Sequence, residues 1–128
     1  TLSSSSAASD VYKRQVLNNL TWMYAEKKDA ANTQKYLSKM QAIKPTQPEL
    51  LDTMGFAALQ LGNAKQALEF LTKAIEAAPE FAEARYHAAQ AHKMLGNNAA
   101  AKEVLKPAIE SAKAFSSRTD AEKMYKSL

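Results

Sequence analysis

The chain has 128 residues and a formal net charge of +4, and it is 46% hydrophobic and 23% charged, which is typical of a folded domain or short repeat array. Its lack of cysteine excludes disulfide bonds, thiol catalysis and cysteine-ligated metal, and no apolar run approaches the roughly 18 residues of a membrane span. With only 3 glycines and 4 prolines the sequence favours helix, and its interspersed charges argue against a nucleic-acid-binding surface.

The first segment, residues 1–15, differs from everything that follows. Its stretch Ser5–Gln15, SSAASDVYKRQ, is polar and low in complexity. The stretch resembles, residue for residue, a transposase-type sequencing adapter translated in frame, and a natural serine-rich linker is the alternative. We therefore predict that residues 1–15 are not native to the protein, and that they are disordered or form a helical extension of the next element.

From Val16 onwards the sequence repeats with a period of 34 residues. That spacing separates Pro45 from Pro79, Gly62 from Gly96, Trp22 from Phe56, Leu37 from Leu71, Ala67 from Ala101, Leu71 from Leu105, and Ala74 from Ala108. A period of this length indicates stacked helix pairs. We predict three repeats, followed by one more segment. The four ranges are 16–47, 48–81, 82–113 and 114–128.

The first repeat is the least regular of the three. It has Thr21, Lys28, Thr33 and Met40 where the second repeat has Gly55, Gly62, Ala67 and Ala74. Small residues at these aligned positions, or columns, allow two helices to approach closely. Larger residues there predict looser packing in the first repeat. Asp29 is expected to cap its second helix.

The second repeat has an apolar stripe at helical spacing in each of its two helices. Gly62 is expected to end the first helix in the left-handed conformation, and Asn63 to cap the second. Pro79 ends the second helix because proline cannot continue one. The stretch Thr46–Glu49 is expected to form a capping box that opens the repeat.

The third repeat and the last segment complete the predicted helices. Asn97 is expected to take the capping role of Asn63. Pro107 lies inside a helix, which predicts a kink near Glu103 or a late start to that helix. Residues 114–128 are expected to form one helix that covers the end of the array. Its expected N-cap is Ser116 or Ser117, and its apolar face comprises Ala121, Met124, Tyr125 and Leu128.

The Leu61-Gly62 pair, the later alanines Ala67 and Ala74 and the closing Pro79 resemble the tetratricopeptide repeat family. The resemblance spans Val16 to about Lys113. It implies an all-α fold of three antiparallel helix pairs in a right-handed superhelical array, or α-solenoid, with residues 114–128 as a C-terminal capping helix. It also implies a non-enzymatic scaffold that binds protein or peptide segments.

In this family, the first helix of each repeat lines a concave groove where partners bind. The resemblance implies these groove candidates: Asn18, Trp22, Asp52, Thr53, Phe56, Tyr86, His87 and Gln90. Aromatic residues among polar groups are typical of peptide recognition, although packing between repeats is the alternative for Trp22 and Phe56. Some family members clamp the C-terminal carboxylate of chaperones with Lys, Arg and Asn. The matching columns here are Asn18, Trp22, Thr53, Glu83 and His87, without Lys or Arg, so chaperone-tail binding is not expected.

The sequence indicates neither an enzyme nor a metal or cofactor site. His87 and His92 are five residues apart, about 140° around a helix, so they cannot easily share a metal. No phosphate loop or Ser/His/Asp constellation is present. An RNA-binding repeat protein and a structural spacer are the alternatives to peptide binding. The carboxylates of Asp52, Glu49 and Glu83 near the groove argue against RNA.

Three strings, Asn18-Asn19-Leu20, Leu51-Asp52-Thr53 and Arg85-Tyr86-His87, carry a narrower resemblance. They are similar to the C-terminal part of the tetratricopeptide lipoproteins of bacterial PEP-CTERM/exosortase systems, the PrsT-like group. This resemblance implies a longer, exported, lipid-anchored protein of the periplasm or outer membrane, involved in exopolysaccharide and surface-protein export. Otherwise the protein is expected to be cytoplasmic. Because upstream repeats would be missing, 16–128 is expected to be marginally stable or to self-associate through the exposed first repeat.

Overall fold

The computed structural model describes the backbone of residues 2–128 and the side chains of residues 9–128. It contains the helices α1 (Leu2–Glu26), α2 (Ala30–Ala42), α3 (Pro48–Gln60), α4 (Ala64–Ala77), α5 (Ala82–Met94), α6 (Asn98–Glu110) and α7 (Arg118–Ser127). Short turns join α1 to α2, α3 to α4 and α5 to α6, and each pair packs side by side. The expectation of an all-α repeat array is confirmed, and residues 2–128 contain no strand.

The helices form two layers. The first helices of the repeats, α1, α3 and α5, contact one another in sequence and form the inner layer. The outer layer consists of α2, α4 and α6, which contact the inner helices far more than they contact one another. No described helix is both long and apolar enough to cross a membrane.

The turn within each repeat has the same geometry. The side-chain oxygens of Asp29, Asn63 and Asn97 accept hydrogen bonds from the backbone N–H three residues later, at 3.1–3.2 Å. All three predicted N-caps are therefore confirmed. Gly62 and Gly96 both have φ +78°, the left-handed conformation that ends a helix with paired backbone hydrogen bonds.

Lys28 occupies the glycine position in the first repeat and adopts the same conformation. Its φ is +58°, and the Lys28 and Asp29 amides make the same paired bonds, to the carbonyls of Ala25 and Tyr24. A side chain at this φ is strained because its Cβ crowds the following carbonyl. The first repeat therefore keeps the turn of the regular repeats although it lacks their glycine.

Two expected features of the helix starts are wrong. The stretch Thr46–Glu49 forms no capping box, because α3 begins at Pro48 with Gln47 as its N-cap and has no side-chain cap. Proline is favoured at the first helical position and sets the start one residue later than the capping box requires. The late start of α6 is also wrong, because Asn97 caps that helix and it continues through Pro107 to Glu110.

Residues 2–15 form a helical extension of the first repeat, which was one of the two expected alternatives. Thr1 lies outside the described residues. Among the extension's described side chains, Val11 is 67% exposed and Tyr12 is 71% exposed. Val16 and Met23, at the outer edge of the first repeat, are each 36% exposed.

The core depends on one leucine column and on small residues beside it. Leu37, Leu71 and Leu105, one in each repeat, are fully buried. A Cβ on Gly55 would lie 2.4 Å from Leu71 Cγ, so α3 and α4 touch where glycine leaves room. In the first repeat Thr33 is buried with its hydroxyl unpaired among the described residues. An unpaired buried hydroxyl is destabilising, whereas looser packing of this repeat stays a prediction, since Thr21, Thr33 and Met40 are all buried.

The C-terminal helix α7 covers the end of the array as expected, and its residue Ala121 is buried against the third repeat. Ser117 is its N-cap residue, but the Ser117 hydroxyl donates to Glu83 of α5 (2.8 Å) rather than capping α7. The Ser116 hydroxyl and the Ser117 amide also donate to Glu83, at 2.6 and 2.9 Å. Glu83 therefore attaches the start of α7 to the third repeat.

Arg118 makes a second attachment of α7. Its guanidinium donates to four backbone carbonyls at the end of α6 and in the following loop. They are those of Ala108 (3.3 Å), Ile109 (3.5 Å), Ser111 (2.5 Å) and Lys113 (2.6 Å). The guanidinium therefore supplies hydrogen-bond donors to carbonyls that no backbone N–H of a helix reaches.

We expect Lys28→Gly to raise the free energy of unfolding by about 1 kcal/mol, because glycine removes the strain of a positive φ. Urea denaturation measures the change. Lys27→Gly, one residue earlier in the same turn, is the matched control and is not expected to raise the free energy of unfolding. Equal stabilisation by both variants would show that the positive φ of Lys28 is not the cause.

A pH dependence is expected from Glu83. Partial burial opposes ionisation of its carboxyl, but the hydrogen bonds from Ser116 and Ser117 outweigh burial and lower the pKa below its usual 4.5. Because the pKa is lower in the folded chain, ionised Glu83 stabilises the fold above pH 4.5. That stabilisation is lost as the pH falls through the lowered value.

Urea denaturation at a series of pH values tests this expectation. Glu83→Gln should lower the free energy of unfolding at pH 7 by about 1 kcal/mol, allowing for solvent screening. The difference from the wild type should shrink as the pH falls below 4.5 and through the lowered pKa of Glu83. Glu80→Gln, an exposed residue before α5, is the control. A difference for Glu83→Gln that is unchanged at low pH would contradict the role given to the carboxylate.

Candidate functional site

The inner layer presents an aromatic surface built from all three repeats. Trp22 of α1 stacks on Phe56 of α3, with ring centroids 4.3 Å apart and planes inclined by 25°. The Trp22 indole N–H donates to Glu26, one turn along the helix, which fixes the ring orientation. Tyr86 of α5 continues this surface, and all three aromatic side chains are half-buried. They therefore both pack between the repeats and remain accessible.

A buried polar pair lies beneath these rings. His87 Nδ1 of α5 donates to Asp52 Oδ1 of α3 at 2.7 Å, and the two residues are 4% and 5% exposed. The His87 ring lies 5.3 Å from Phe56, 5.8 Å from Tyr86 and 6.0 Å from Trp22, measured between centroids. Because a buried polar group needs a partner, the pair fixes α3 against α5 in one register.

A groove of about 470 Å³ lies near the C-terminal ends of α3 and α5, about one turn beyond Phe56 and Tyr86 along the chain. Its lining residues are Leu59, Gln60, Gln90, Lys93, Met94 and Met124. Met94 is 52% exposed, so an apolar side chain is available there. The groove is bounded by α3, α5 and α7, so the capping helix forms one of its walls.

The structure divides the eight predicted groove residues into two groups. Asn18, Trp22, Phe56, Tyr86 and Gln90 are half-buried and reach the surface. Asp52, Thr53 and His87 are buried, so little of their side chains is accessible, and their role in a groove stays a prediction. Asp52 and His87 face each other between α3 and α5, while the Thr53 hydroxyl donates to the Glu49 carbonyl in its own helix at 3.0 Å.

Met124 was missed as a groove residue. The sequence pattern predicted only a capping role for α7. Met124 nevertheless follows Trp22, Phe56 and Gln90 at the same spacing of 34 residues. Extending the repeat register into the capping helix would have found it.

The electrostatics of the surface differ along its length. Partial burial raises the pKa of Tyr86, and the carboxylates of Asp120 and Glu83 raise it further. Lys93 lies at the other end, in the groove wall. Asn18 has a buried side-chain oxygen without a partner among the described residues. The arrangement can hold apolar and polar groups of an extended ligand.

Residues 58–118 match the sequence profile of a family described as Tetratricopeptide repeat. A solved structure titled "TPR2B-domain:pHsp70-complex of yeast Sti1" is similar over 90% of this chain and 94% of that chain, with 24% sequence identity and a TM-score of 0.76. No curated protein sequence is significantly similar to the chain. The profile match covers just under half of the chain, and the structural likeness shows the fold, which is that of a helical-repeat solenoid.

Asp52→Ala is expected to lower the free energy of unfolding by about 2 kcal/mol, because it leaves His87 buried without its partner. Combining it with His87→Ala should cost about 1 kcal/mol less than the sum of the single changes. Urea denaturation of the four proteins measures this coupling. Asp120→Ala, an exposed carboxylate, is the control and should change stability by less than about 0.5 kcal/mol. Strict additivity would contradict the pairing.

Proposed function

We propose that the chain is a non-enzymatic scaffold that binds a segment of another protein along its concave surface. The observation that carries the proposal is the half-exposed stack of Trp22 on Phe56, held in place from below by the Asp52–His87 pair. Rigid aromatic groups that are already packed bind a ligand with little loss of conformational entropy. The groove beyond them offers apolar and amide groups to an extended segment.

The similar yeast structure supports binding in this fold, since its title describes a complex with pHsp70. We do not extend that ligand to this chain. The columns expected to clamp a terminal carboxylate have no Lys or Arg, and Glu83, in one of them, is a carboxylate. A carboxylate there repels a terminal carboxylate. The proposed ligand is therefore an internal segment with apolar side chains.

Trp22 is the only tryptophan of the chain, so its fluorescence reports on the proposed site. Peptides selected from a random displayed library against the full chain are expected to change that fluorescence on binding. Phe56→Ala should weaken binding about 10-fold or more, since it removes half of the aromatic stack. Phe70→Ala, on the outer layer, is the matched control. Calorimetry measures the affinity of the same peptides for the variants Trp22→Ala and Tyr86→Ala.

The alternatives give different results in the same assays. An RNA-binding protein would bind a single-stranded oligonucleotide with strong salt dependence. A structural spacer would select no peptide, and no assay would respond to Trp22→Ala, Phe56→Ala or Tyr86→Ala. Selected peptides whose affinity falls with Phe70→Ala but not with Phe56→Ala would move the binding site to the outer layer.

We also propose a narrower context, in which the chain is the C-terminal part of an exported, lipid-anchored protein of a PEP-CTERM/exosortase system. The three strings on α1, α3 and α5 support this proposal. Sequencing the gene upstream of the Val16 codon, from a library made without transposase adapters, tests it. Further 34-residue repeats leading back to a signal peptide and a lipid-bearing cysteine would support export. The recurrence of the Ser5–Gln15 codons would instead show that this segment is native.

A further inference from the structure

A second surface feature lies on the outer layer, on the opposite side of the inner helices from the aromatic surface. It is a cleft of about 800 Å³ between α2 and α4. Its floor includes Leu51, Met54 and Phe70, and its rim carries Lys44, Lys73 and Glu76. Leu51 and Met54 belong to the main core cluster, and Phe70 packs against it, so the floor is rigid and apolar.

The next junction of the array, between α4 and α6, has a cleft in the equivalent place, but it measures only about 400 Å³. The 34-residue register pairs Leu51 with Arg85, Phe70 with Val104 and Lys73 with Pro107. Arg85 lines the second cleft and narrows it. Its Nε donates to the Pro79 carbonyl at 2.8 Å, and its Nη1 donates to the Val104 carbonyl of α6 at 3.1 Å.

Arg85 therefore occupies part of the second cleft, and the first junction has no long polar side chain in the equivalent place. Leu51 has neither the length nor the donors to bridge from α3 to the outer helix, and burial of Leu51 keeps the floor of the first cleft apolar. Two junctions built on one repeat pattern thus differ in the size of this cleft, which is about 800 Å³ at the first and about 400 Å³ at the second. A recessed apolar surface with a polar rim is typical of an interaction site.

We propose that this cleft, defined by Leu51, Met54 and Phe70 with Lys44 and Lys73 on its rim, binds an acidic amphipathic helix of a partner protein. Apolar side chains of that helix insert onto the floor, as amphipathic helices do in other grooves. Two of the three charged rim residues are lysines, and all three are exposed, so carboxylates that flank the apolar side chains complement the rim. The site is separate from the concave surface, and either can fail without the other.

Two synthetic helical peptides serve as probes for the full chain. Both carry leucines along one face, and they differ in having glutamates or lysines on either side of that face. In fluorescence anisotropy with labelled peptides, the glutamate peptide is expected to bind at least ~10-fold more tightly than the lysine peptide. Its affinity should also fall with added salt, because the rim charges are exposed.

Leu51→Arg places at the first cleft the residue type that narrows the second. It should weaken binding of the glutamate peptide at least ~10-fold. Circular dichroism and a thermal melt show whether this variant folds. If it does not fold, the double variant Lys44→Glu with Lys73→Glu tests the proposal at two exposed rim residues. This variant should bind the lysine peptide more tightly than the glutamate peptide. Leu95→Ala, at the exposed end of α5, is the control and should leave the affinity unchanged, and Phe56→Ala tests whether the peptide binds the concave surface instead.

Four results would overturn the proposal. Equal binding of both peptides would remove the role of the rim lysines. Unchanged binding by a folded Leu51→Arg would place the peptide elsewhere, and loss of binding in Phe56→Ala would place it on the concave surface. Binding of laurate that Leu51→Arg abolishes, without binding of the glutamate peptide, would assign the cleft to a small anionic amphiphile.

Discussion

The close contact between Gly55 and Leu71 is the constraint on which the array depends. A Cβ at Gly55 would lie 2.4 Å from the Leu71 side chain, so glycine lets the two helices of the second repeat meet at that point. Leu71 is fully buried there and connects the two layers. The inner helices α1 and α3 make a separate contact, and there Trp22 stacks on Phe56 across two repeats. The aromatic surface therefore depends both on the packing within each helix pair and on the packing of one repeat against the next.

Features determined by local chemistry could be predicted from the sequence. The 34-residue period gave the helix pairs, and the polar residues after each turn gave the N-caps, because a cap depends on atoms only three residues apart. The capping box at Thr46 failed for an equally local reason, since Pro48 fixes the start of α3. Lys28 shows that the turn geometry persists even where its glycine is absent.

Features that depend on contacts between repeats could not be predicted in this way. Asp52 and His87 are 35 residues apart, one period plus one, and only the stacking of α3 on α5 turns that spacing into a buried hydrogen bond. The prediction assigned both residues to the groove, because a column on a helix does not reveal which side the neighbouring helix covers. Arg118 was missed because its partners are backbone carbonyls, which carry no signal in the sequence.

The capping helix links stability to the proposed binding surface. Glu83 holds the start of α7 through Ser116 and Ser117, and the same helix places Met124 in the groove wall. Glu83 also acts electrostatically on Tyr86, so one carboxylate attaches the cap and sets the charge beside the aromatic surface. An array end that only needed covering would not require this arrangement. Since α7 stands in the register of a fourth inner helix, the groove extends beyond the third repeat, and loss of the cap would shorten the surface as well as expose the core.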